Sequence, residues 1–363
     1  MSPKKTIAIS SVRNEEDIIE SFVRYSLEIF DYLVVNENCS LDFTSEILKN
    51  LEEEGLNLEI ITDNREVFAQ EQRTNELLDY VMKRYKPDWV FPLDGDEFLF
   101  TKSKEEIECA IDALNPNIIN LFGWDTYVIT GKEDNTLFIP EKFQYRREDQ
   151  EVYYKTCISN ELYDKGARLA LASHDIMAPP DIDLERSISD TLRIAHYPVR
   201  SSEQLMNKII VGILNKISNY PRTSVTNYHQ QRIFDDIVKN GYISSLLLQE
   251  YSFNYAVENP SGNSHEDVSI VQAPIKLLGI DSSDIKYTKP IDKDRVLSIA
   301  IETAAGIIED LRMQKESLQA VKEENEEIKK SLEQKDKLLS EIKNSKGWKL
   351  LERLRDIKRK ASF

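Results

Sequence analysis

The sequence holds few cysteines. Cys39, Cys109 and Cys157 are its three cysteines in 363 residues, and they are widely spaced with no C-x-x-C pair. This usage fits a reducing compartment and provides no zinc signature.

Long apolar segments are also missing. The longest aliphatic stretch near the middle, Ile209–Leu214, is far shorter than the roughly 20 apolar residues that cross a bilayer. The first residues, MSPKKTIAISSVRNEED, include two lysines but no long apolar region and no clear cleavage site, so they make a poor signal peptide. We therefore expect a cytoplasmic protein.

Positive charge is scarce relative to negative charge. The chain has 47 Lys and Arg against 64 Asp and Glu, for a net charge of −17. Because a nucleic acid would be repelled by such a surface, we expect no nucleic-acid partner. With 40% hydrophobic residues, the chain is long enough for one large soluble domain or two smaller ones.

The first hundred residues alternate between strand and helix patterns. Short apolar runs predict strands, and residues recurring at spacings of three and four predict helices between them. The predicted strands are 6–10, 32–35, 58–61 and 89–93, with helices over 18–30, 42–51 and 70–85. Such alternation predicts an α/β fold with parallel strands, whose polar carboxyl ends share one edge.

Later segments give weaker patterns. We predict strands at 118–122 and 136–139 and a helix over 107–114. Residues 203–250 look helical with a break near Pro221, and 259–292 look like loop and short helix.

A heptad repeat begins near residue 295. Leu311, Leu318, Asn325, Leu332 and Leu339 are spaced by seven, with Val321, Ile328 and Ile342 between them. This pattern predicts a coiled coil that makes a homodimer, and Asn325 suits a two-stranded register. The alternative is a solitary charged helix.

The last residues, 346–363, combine basic side chains with an apolar stripe that includes Trp348. This pattern is typical of a helix lying on a membrane surface. The alternative is a helix that docks on the acidic body of the same chain.

The stretch WVFPLDGDEF ends an apolar strand in three carboxylates. Of the three Asp-x-Asp strings in the chain, only Asp94–Asp96 follows such a strand. Paired ionised carboxylates repel unless a cation compensates them, and oxygen ligands favour Mg²⁺ or Mn²⁺. A metal-diphosphate site and a plain solvated turn both remain open. An aspartyl-phosphate phosphatase fits poorly, because Phe98 stands where that class has Thr.

Four segments together resemble a known family. They are SSVRNEE from Ser10, NENCSLDFT from Asn36, LDGDEF from Leu93 and HYPVRS from His196. Across roughly residues 5–215 they look like the family 2-type glycosyltransferases of GT-A fold, and most like a bacterial branch whose acidic motif reads D-x-D-E-F. The second segment departs from the family's D-x-S-x-D-x-T pattern, because Asn36 or Asn38 stands where an aspartate often sits.

The resemblance implies a nucleotide-diphosphosugar donor and a divalent metal, Mn²⁺ or Mg²⁺. Asp94 and Asp96 would hold this metal, with His196 as a possible further ligand. The residues implied near the donor are Asn14, Glu15, Asn36, Asn38, Asp63, Arg73 and Asn75. Our candidates for the base that activates an acceptor hydroxyl are Asp125, His174 and Asp175; no motif selects among them, and a lone histidine is more often structural.

The resemblance predicts a Rossmann-like GT-A domain over 1–215 and a helical and loop region over 216–294 that packs on it. A coiled coil over 295–345 and a basic tail over 346–363 follow. The expected activity is metal-dependent, inverting transfer of a sugar to a bacterial surface polysaccharide or lipid-linked glycan, with the tail near the inner membrane. One alternative is a nucleotidyltransferase, which the absence of glycine in Ser10–Arg13 disfavours. The other is a non-catalytic coiled-coil adaptor, which the intact Asp94 and Asp96 disfavour.

Overall fold

The structure is a computed structural model that describes residues 4–64, 70–148, 153–219, 228–255, 269–275, 279–345 and 348. Within these ranges the strands are β1 Thr6–Val12, β2 Tyr32–Glu37, β3 Leu58–Thr62, β4 Trp89–Pro92, β5 Glu97–Phe100, β6 Ile119–Thr126, β7 Tyr145–Arg147, β8 Tyr154–Ser159, β9 Arg168–Leu169, β10 Ile176–Met177, β11 Arg186–His196 and β12 Ile270–Gln272. The α-helices are α1 Ile19–Ile29, α2 Thr44–Glu53, α3 Gln70–Tyr85, α4 Lys104–Asp112, α5 Ile139–Lys142, α6 Asn160–Asp164, α7 Ser202–Asn219, α8 Tyr228–Asn240, α9 Ser245–Phe253 and α10 Lys293–Asn344.

The first four strands form the parallel half of an eight-stranded sheet, in the order β3-β2-β1-β4. Both faces of the inner strands β1, β2 and β4 are covered, so their central residues are apolar and buried. Ala8 and Phe91 belong to a core cluster with residues of α1 and α2. Ile7 and Val90 belong to a second cluster with residues of α3. The predicted α/β class and the βαβ alternation are confirmed.

The second half of the sheet is mixed, in the order β8-β6-β11-β5. Strand β8 runs antiparallel to both β4 and β6, and β5 runs antiparallel to β11. In a flat sheet, β4 and β5 would lie roughly 19 Å apart, four strand spacings of about 4.8 Å. A tight turn nevertheless joins them, closed by a 3.0 Å hydrogen bond from the Glu97 N–H to the Asp94 carbonyl. The sheet therefore curls, which brings the edge strand β5 back to β4 at this turn.

Two predictions from weaker patterns need correction. Residues 136–139 form no strand; Phe138 is fully buried just before the short helix α5, which has a proline in its first turn. An apolar run of this length fits a buried helix start as well as a strand. Within 259–292, residues 270–272 form strand β12, which pairs with β7.

The chain divides into two compact units, Met1–Ala305 and Gly306–Phe363. Helix α10 supplies the described part of the second unit, up to Asn344. Its heptad leucines and isoleucines are exposed to solvent. Nearly all of the predicted basic tail, 346–363, lies outside the described residues. Every helix in the described ranges is too short or too polar to cross a bilayer.

Candidate functional site

The turn after β4 carries the acidic cluster. Asp94 is partly exposed whereas Asp96 is buried. The Asp94 N–H donates to Glu97 Oε2 over 2.9 Å, so the Glu97 side chain closes the turn from inside. Gly95 packs closely against β1, and a Cβ there would lie 3.3 Å from Val12 Cγ1, a tight contact.

Lys155 of β8 neutralises one side of this turn. Its Nζ lies 2.9 Å from Asp94 Oδ2 and 3.0 Å from Glu97 Oε2, and its side chain is 1% exposed. Burial raises the pKa of Glu97 to about 8, against the lowering effect of Lys155. The lysine thus ties the turn to a strand that is distant in sequence.

Lys208 of α7 and Arg200 neutralise the other side. Lys208 Nζ lies 2.7 Å from Asp96 Oδ2, and Arg200 Nη1 lies 3.9 Å from the same oxygen. Burial opposes ionisation of Asp96, but these cations outweigh it and hold the pKa of Asp96 below its usual range. The carboxylate therefore stays ionised inside the protein.

Arg200 links the acidic turn to the loop after β1. Its guanidinium donates to both oxygens of Asp17, at 2.7 and 2.9 Å, and also to Glu15 Oε2. It further donates to the Tyr197 carbonyl over 3.0 Å. The side chain of Glu15, predicted near the donor, is therefore bound to Arg200, and burial raises its pKa to about 7.

His196 ends β11 and faces Asp96. Its Nε2 lies 3.8 Å from Asp96 Oδ2, and its ring lies 4.3 Å from that of Trp124. Burial lowers the pKa of His196 to about 3 although Asp96 raises it, so the imidazole is neutral. The predicted proximity of His196 to the Asp-x-Asp pair is thus present in the structure.

The residue types around the turn fit a hard divalent cation. An ionised carboxylate and a neutral imidazole are suitable ligands for Mn²⁺, and the buried Nδ1 of His196 has no hydrogen-bond partner among the described residues. The same ranges nevertheless contain no group of three His, Cys, Asp or Glu residues arranged to hold a metal. Lysine ammonium groups lie instead on Asp94 Oδ2 and Asp96 Oδ2.

Three residues predicted near the donor form one buried cluster at the ends of β2 and β3. Asn38 Oδ1 accepts from Arg73 Nη1 over 3.0 Å, and Arg73 Nε lies 2.9 Å from Asp63 Oδ2. The Asn38 amide also donates to the Asp63 carbonyl over 2.9 Å. The structure therefore brings these residues together from three elements.

Asn14 and Asn36 shape the loops at the same edge. Asn14 has a φ of 57°, and its Oδ1 accepts from the Leu41 N–H over 2.8 Å. The Asn36 amide donates to Ser11 Oγ over 3.1 Å. Left-handed backbone at non-glycine residues is often found at functional sites. Here Asn14 adopts it while its side chain joins the loop after β1 to the loop after β2.

A small cleft, with a cavity volume of about 10 Å³, opens beside the acidic turn. Its polar lining comes from Ser10 and Ser11 of β1, Thr74 of α3, Asp94, and Ser173. Ser173 also has a positive φ, of 56°. The cleft therefore lies at the carboxyl ends of β1 and β4, where open α/β sheets bind ligands.

His174 comes directly after Ser173, which lines the cleft. Its Nδ1 donates to the Tyr154 carbonyl over 2.7 Å, and its ring lies 5.3 Å from that of Trp124. Because Nδ1 carries the proton, Nε2 of the neutral ring is left as the acceptor. Burial lowers the pKa of His174, which favours this neutral form.

The other predicted base and donor residues are engaged within the fold. Asp125 receives two hydrogen bonds from Arg193, at 2.6 and 3.0 Å. Asp175 is partly exposed and pairs with Arg186 over 2.8 Å. The Asn75 side chain bonds to both backbone groups of Leu169. In this structure the three side chains have structural partners, which gives their predicted roles no support.

The sequence reasoning missed the cations of this site. Arg200 lies within the HYPVRS segment, one of the four segments that resemble the glycosyltransferase family. Lys208 lies two helical turns further on, and Lys155 lies in β8, a strand that the pattern did not predict. The available signal for Lys208 was that, together with Asn207, it interrupts the apolar segment Leu205–Leu214.

Comparisons with known proteins find only distant likenesses. No protein-family model and no curated protein matches the chain. Among solved structures, S. aureus TarS residues 1–349 share 14% identity at a TM-score of 0.35, covering 72% of this chain and 76% of that one.

Two further structures give similar values. The mannosyltransferase PcManGT from Pyrobaculum calidifontis, in complex with GDP-Man and Mn²⁺, shares 12% identity at a TM-score of 0.34, covering 61% of this chain and 66% of that one. The 4-diphosphocytidyl-2C-methyl-D-erythritol synthase from Anaerococcus prevotii shares 15% identity at 0.31, covering 52% and 87%. Because every TM-score is below 0.5, these likenesses carry no argument about reaction or substrate.

Proposed function

We propose that this chain is a GT-A-type glycosyltransferase that takes a sugar from a nucleotide-diphosphosugar. The observation that carries the proposal is the turn Asp94–Glu97, which borders a polar cleft at the carboxyl edge of the parallel strands. We infer that a nucleotide lies across the mouth of this small cleft, where the lining residues supply hydroxyl groups and the turn supplies carboxylates with their paired lysine ammonium groups.

Glycosyl transfer requires that negative charge on the departing diphosphate be stabilised. Lys208 and Arg200 lie within 4 Å of Asp96, and Lys208 is partly exposed, so its ammonium can reach a phosphate oxygen. Arg200 is fixed by its hydrogen bonds to Asp17, so its positive charge stays beside Asp96. These cations stabilise the negative charge that develops on the diphosphate as its bond to the sugar breaks.

A divalent cation is part of the proposal. Asp94, Asp96 and His196 are the residues that would hold Mn²⁺ or Mg²⁺, and the bound ion would act as a Lewis acid toward the diphosphate. The neutral state of His196 supports its assignment, because only a deprotonated ring nitrogen can bind a metal.

Inversion needs one base that removes the proton of the acceptor hydroxyl. Of the three predicted candidates, we propose His174. Its Nδ1–H is fixed by the Tyr154 carbonyl, so Nε2 is free to accept a proton, and Ser173 beside it lines the cleft. The acceptor class remains the one proposed from the resemblance, a bacterial surface polysaccharide or lipid-linked glycan.

A screen of nucleotide sugars against the full chain tests the proposal. We expect one sugar nucleotide to raise the melting temperature with Mn²⁺ present, since a ligand of the folded state stabilises it. Turnover should release a nucleoside diphosphate. Release of pyrophosphate from a nucleoside triphosphate would instead establish a nucleotidyltransferase, and the absence of any nucleotide binding would favour an adaptor.

We further propose that α10 makes the chain a homodimer through its heptad seam. The exposed apolar residues at seam positions support this pairing, since a coiled coil buries such a stripe. They are Leu311, Leu318, Val321, Ile328, Leu332, Leu339 and Ile342. A cytoplasmic location and contact of residues 346–363 with an inner membrane also stay proposals.

A further inference from the structure

The three cations around the acidic turn differ in how tightly they are held. Lys155 is 1% exposed and bridges two carboxylates. Arg200 is equally buried and donates to Asp17, Glu15 and a backbone carbonyl. Lys208 is 30% exposed and has one hydrogen bond to a protein group, at Asp96 Oδ2. Of these three cations, Lys208 alone combines one bond with access to solvent.

The position of Lys208 conflicts with a metal at Asp96. Its Nζ lies 2.7 Å from Asp96 Oδ2, an oxygen that would face a divalent cation. An ammonium and a divalent cation a few ångströms apart repel strongly where water is excluded. The two therefore exclude one another at Asp96 unless new negative charge arrives between them.

We propose that Lys208 is an exchangeable counter-ion of this site. It neutralises Asp96 when no donor is bound, and its ammonium moves to the donor diphosphate when a divalent cation takes Asp96. This inference rests on the proposed function. A diphosphate carries the negative charge that allows both cations to stay. The Lys208 Nζ also lies 5.5 Å from the centroid of the Tyr255 ring, so the ammonium would leave this ring as well as Asp96 when it turns to the diphosphate.

The exchange makes metal and nucleotide binding depend on each other. Mn²⁺ alone must displace Lys208 and so binds weakly. When a nucleoside diphosphate binds together with Mn²⁺, the displaced ammonium pairs with the diphosphate. By linkage, each ligand then strengthens the binding of the other by the same factor.

The test uses the full chain with Lys208→Met. Free Mn²⁺ is followed by electron paramagnetic resonance, and UDP, GDP, dTDP and CDP are titrated by calorimetry in the presence of Mn²⁺. We expect Mn²⁺ alone to bind about tenfold more tightly to the variant than to the wild type, and the nucleoside diphosphate to bind about tenfold more weakly. Opposite shifts from one substitution are the signature of the exchange.

Two further variants make the result interpretable. Lys208→Arg keeps the positive charge and should retain weak binding of Mn²⁺ alone, and it replaces Lys208→Met if that variant fails to fold. Lys239→Met makes the same chemical change at an exposed position of α8 and should leave both affinities unchanged.

The outcomes separate this inference from the proposed function. If a nucleoside diphosphate binds the wild type but Lys208→Met leaves Mn²⁺ affinity unchanged or weaker, the exchange is wrong and the transferase proposal stands. If Lys208→Arg binds Mn²⁺ alone tightly, repulsion by the positive charge is not the cause and the exchange is also overturned. If no nucleoside diphosphate binds the wild type, both proposals fail.

Discussion

Glu16 shows how one buried carboxyl couples the fold to pH. It is fully buried, accepts from the Phe43 N–H over 3.0 Å and lies near Arg295. Burial raises the pKa of Glu16 from 4.5 to about 7, against the effect of the Phe43 hydrogen bond. The folded chain thus holds a proton here that the unfolded chain releases, so this group's stabilising contribution falls as pH rises from about 4.5 to 7.

We therefore expect Glu16→Gln to be more favourable at pH 8 than at pH 5. At pH 5 the folded wild type holds a protonated Glu16, which resembles glutamine. At pH 8 Glu16 is ionised in a buried position, and this lowers the free energy of unfolding of the wild type. Urea unfolding of both proteins at both pH values measures the difference. An equal difference in free energy of unfolding at the two pH values would contradict the assignment.

His174 is the residue on which the proposed acceptor chemistry depends. Replacing it with glutamine keeps a donor that can reach the Tyr154 carbonyl but removes the acceptor nitrogen. We expect turnover to fall by about 10²–10⁴-fold, the usual contribution of a general base, with nucleotide affinity within about twofold of the wild type. A variant that binds and turns over normally would remove His174 from the mechanism.

At the scale of elements, β6 and β11 are joined by more than their backbone ladder. Asp125 of β6 forms a bidentate pair with Arg193 of β11, and Gly123 leaves room for the guanidinium, because a Cβ there would lie 3.2 Å from Arg193 Nη1. Asp125→Ala should cost about 1–3 kcal/mol in unfolding free energy, because it removes the carboxylate partner of a part-buried arginine.

A surface pair of the same chemistry is the matched control. Asp175→Ala removes the partner of the exposed Arg186 and should cost no more than about 1 kcal/mol. Urea unfolding of the two variants gives the comparison. Equal costs, or a loss of turnover by folded Asp125→Ala at wild-type stability, would contradict the structural role of Asp125.

The elements also show what a sequence pattern can predict. Strands β1 to β4 and helices α1 to α3 follow from local periodicity, since each strand neighbours a helix that covers it. Strands β5 and β8 were not predicted. Strand β5 has four residues and follows the acidic turn directly, β8 carries the polar Lys155 and Thr156, and the sheet partners of both are distant in sequence.

The same limit applies to the site. Asp94 and Asp96 could be expected at the carboxyl edge of the sheet because they follow an apolar strand, and His196 was placed with them through the family resemblance. Lys155 and Lys208 could not be expected there, since β8 pairs with β4 across a large distance in sequence and α7, which follows β11, reaches the turn only through the curl of the sheet. Local periodicity carries no information about that curl.

At the scale of the whole molecule, oligomeric state depends on α10. We expect the wild type to sediment as a dimer and the double variant Leu318→Glu with Leu332→Glu as a monomer, because the charges lie in the seam. Ala320→Glu adds a charge outside the seam and should leave the dimer intact. Sedimentation velocity distinguishes the cases, and a monomeric wild type would rule out the proposed pairing.

The central claim is that Asp94 and Asp96 share a divalent cation with a nucleoside diphosphate. Calorimetric titration of UDP, GDP, dTDP and CDP into the wild type and Asp96→Asn, each with and without Mn²⁺, tests it most directly. The account predicts that one nucleotide binds the wild type, that Mn²⁺ strengthens this binding, and that Asp96→Asn loses at least about tenfold of the Mn²⁺-dependent affinity while remaining folded. Binding that is the same in both proteins and indifferent to Mn²⁺ would contradict it.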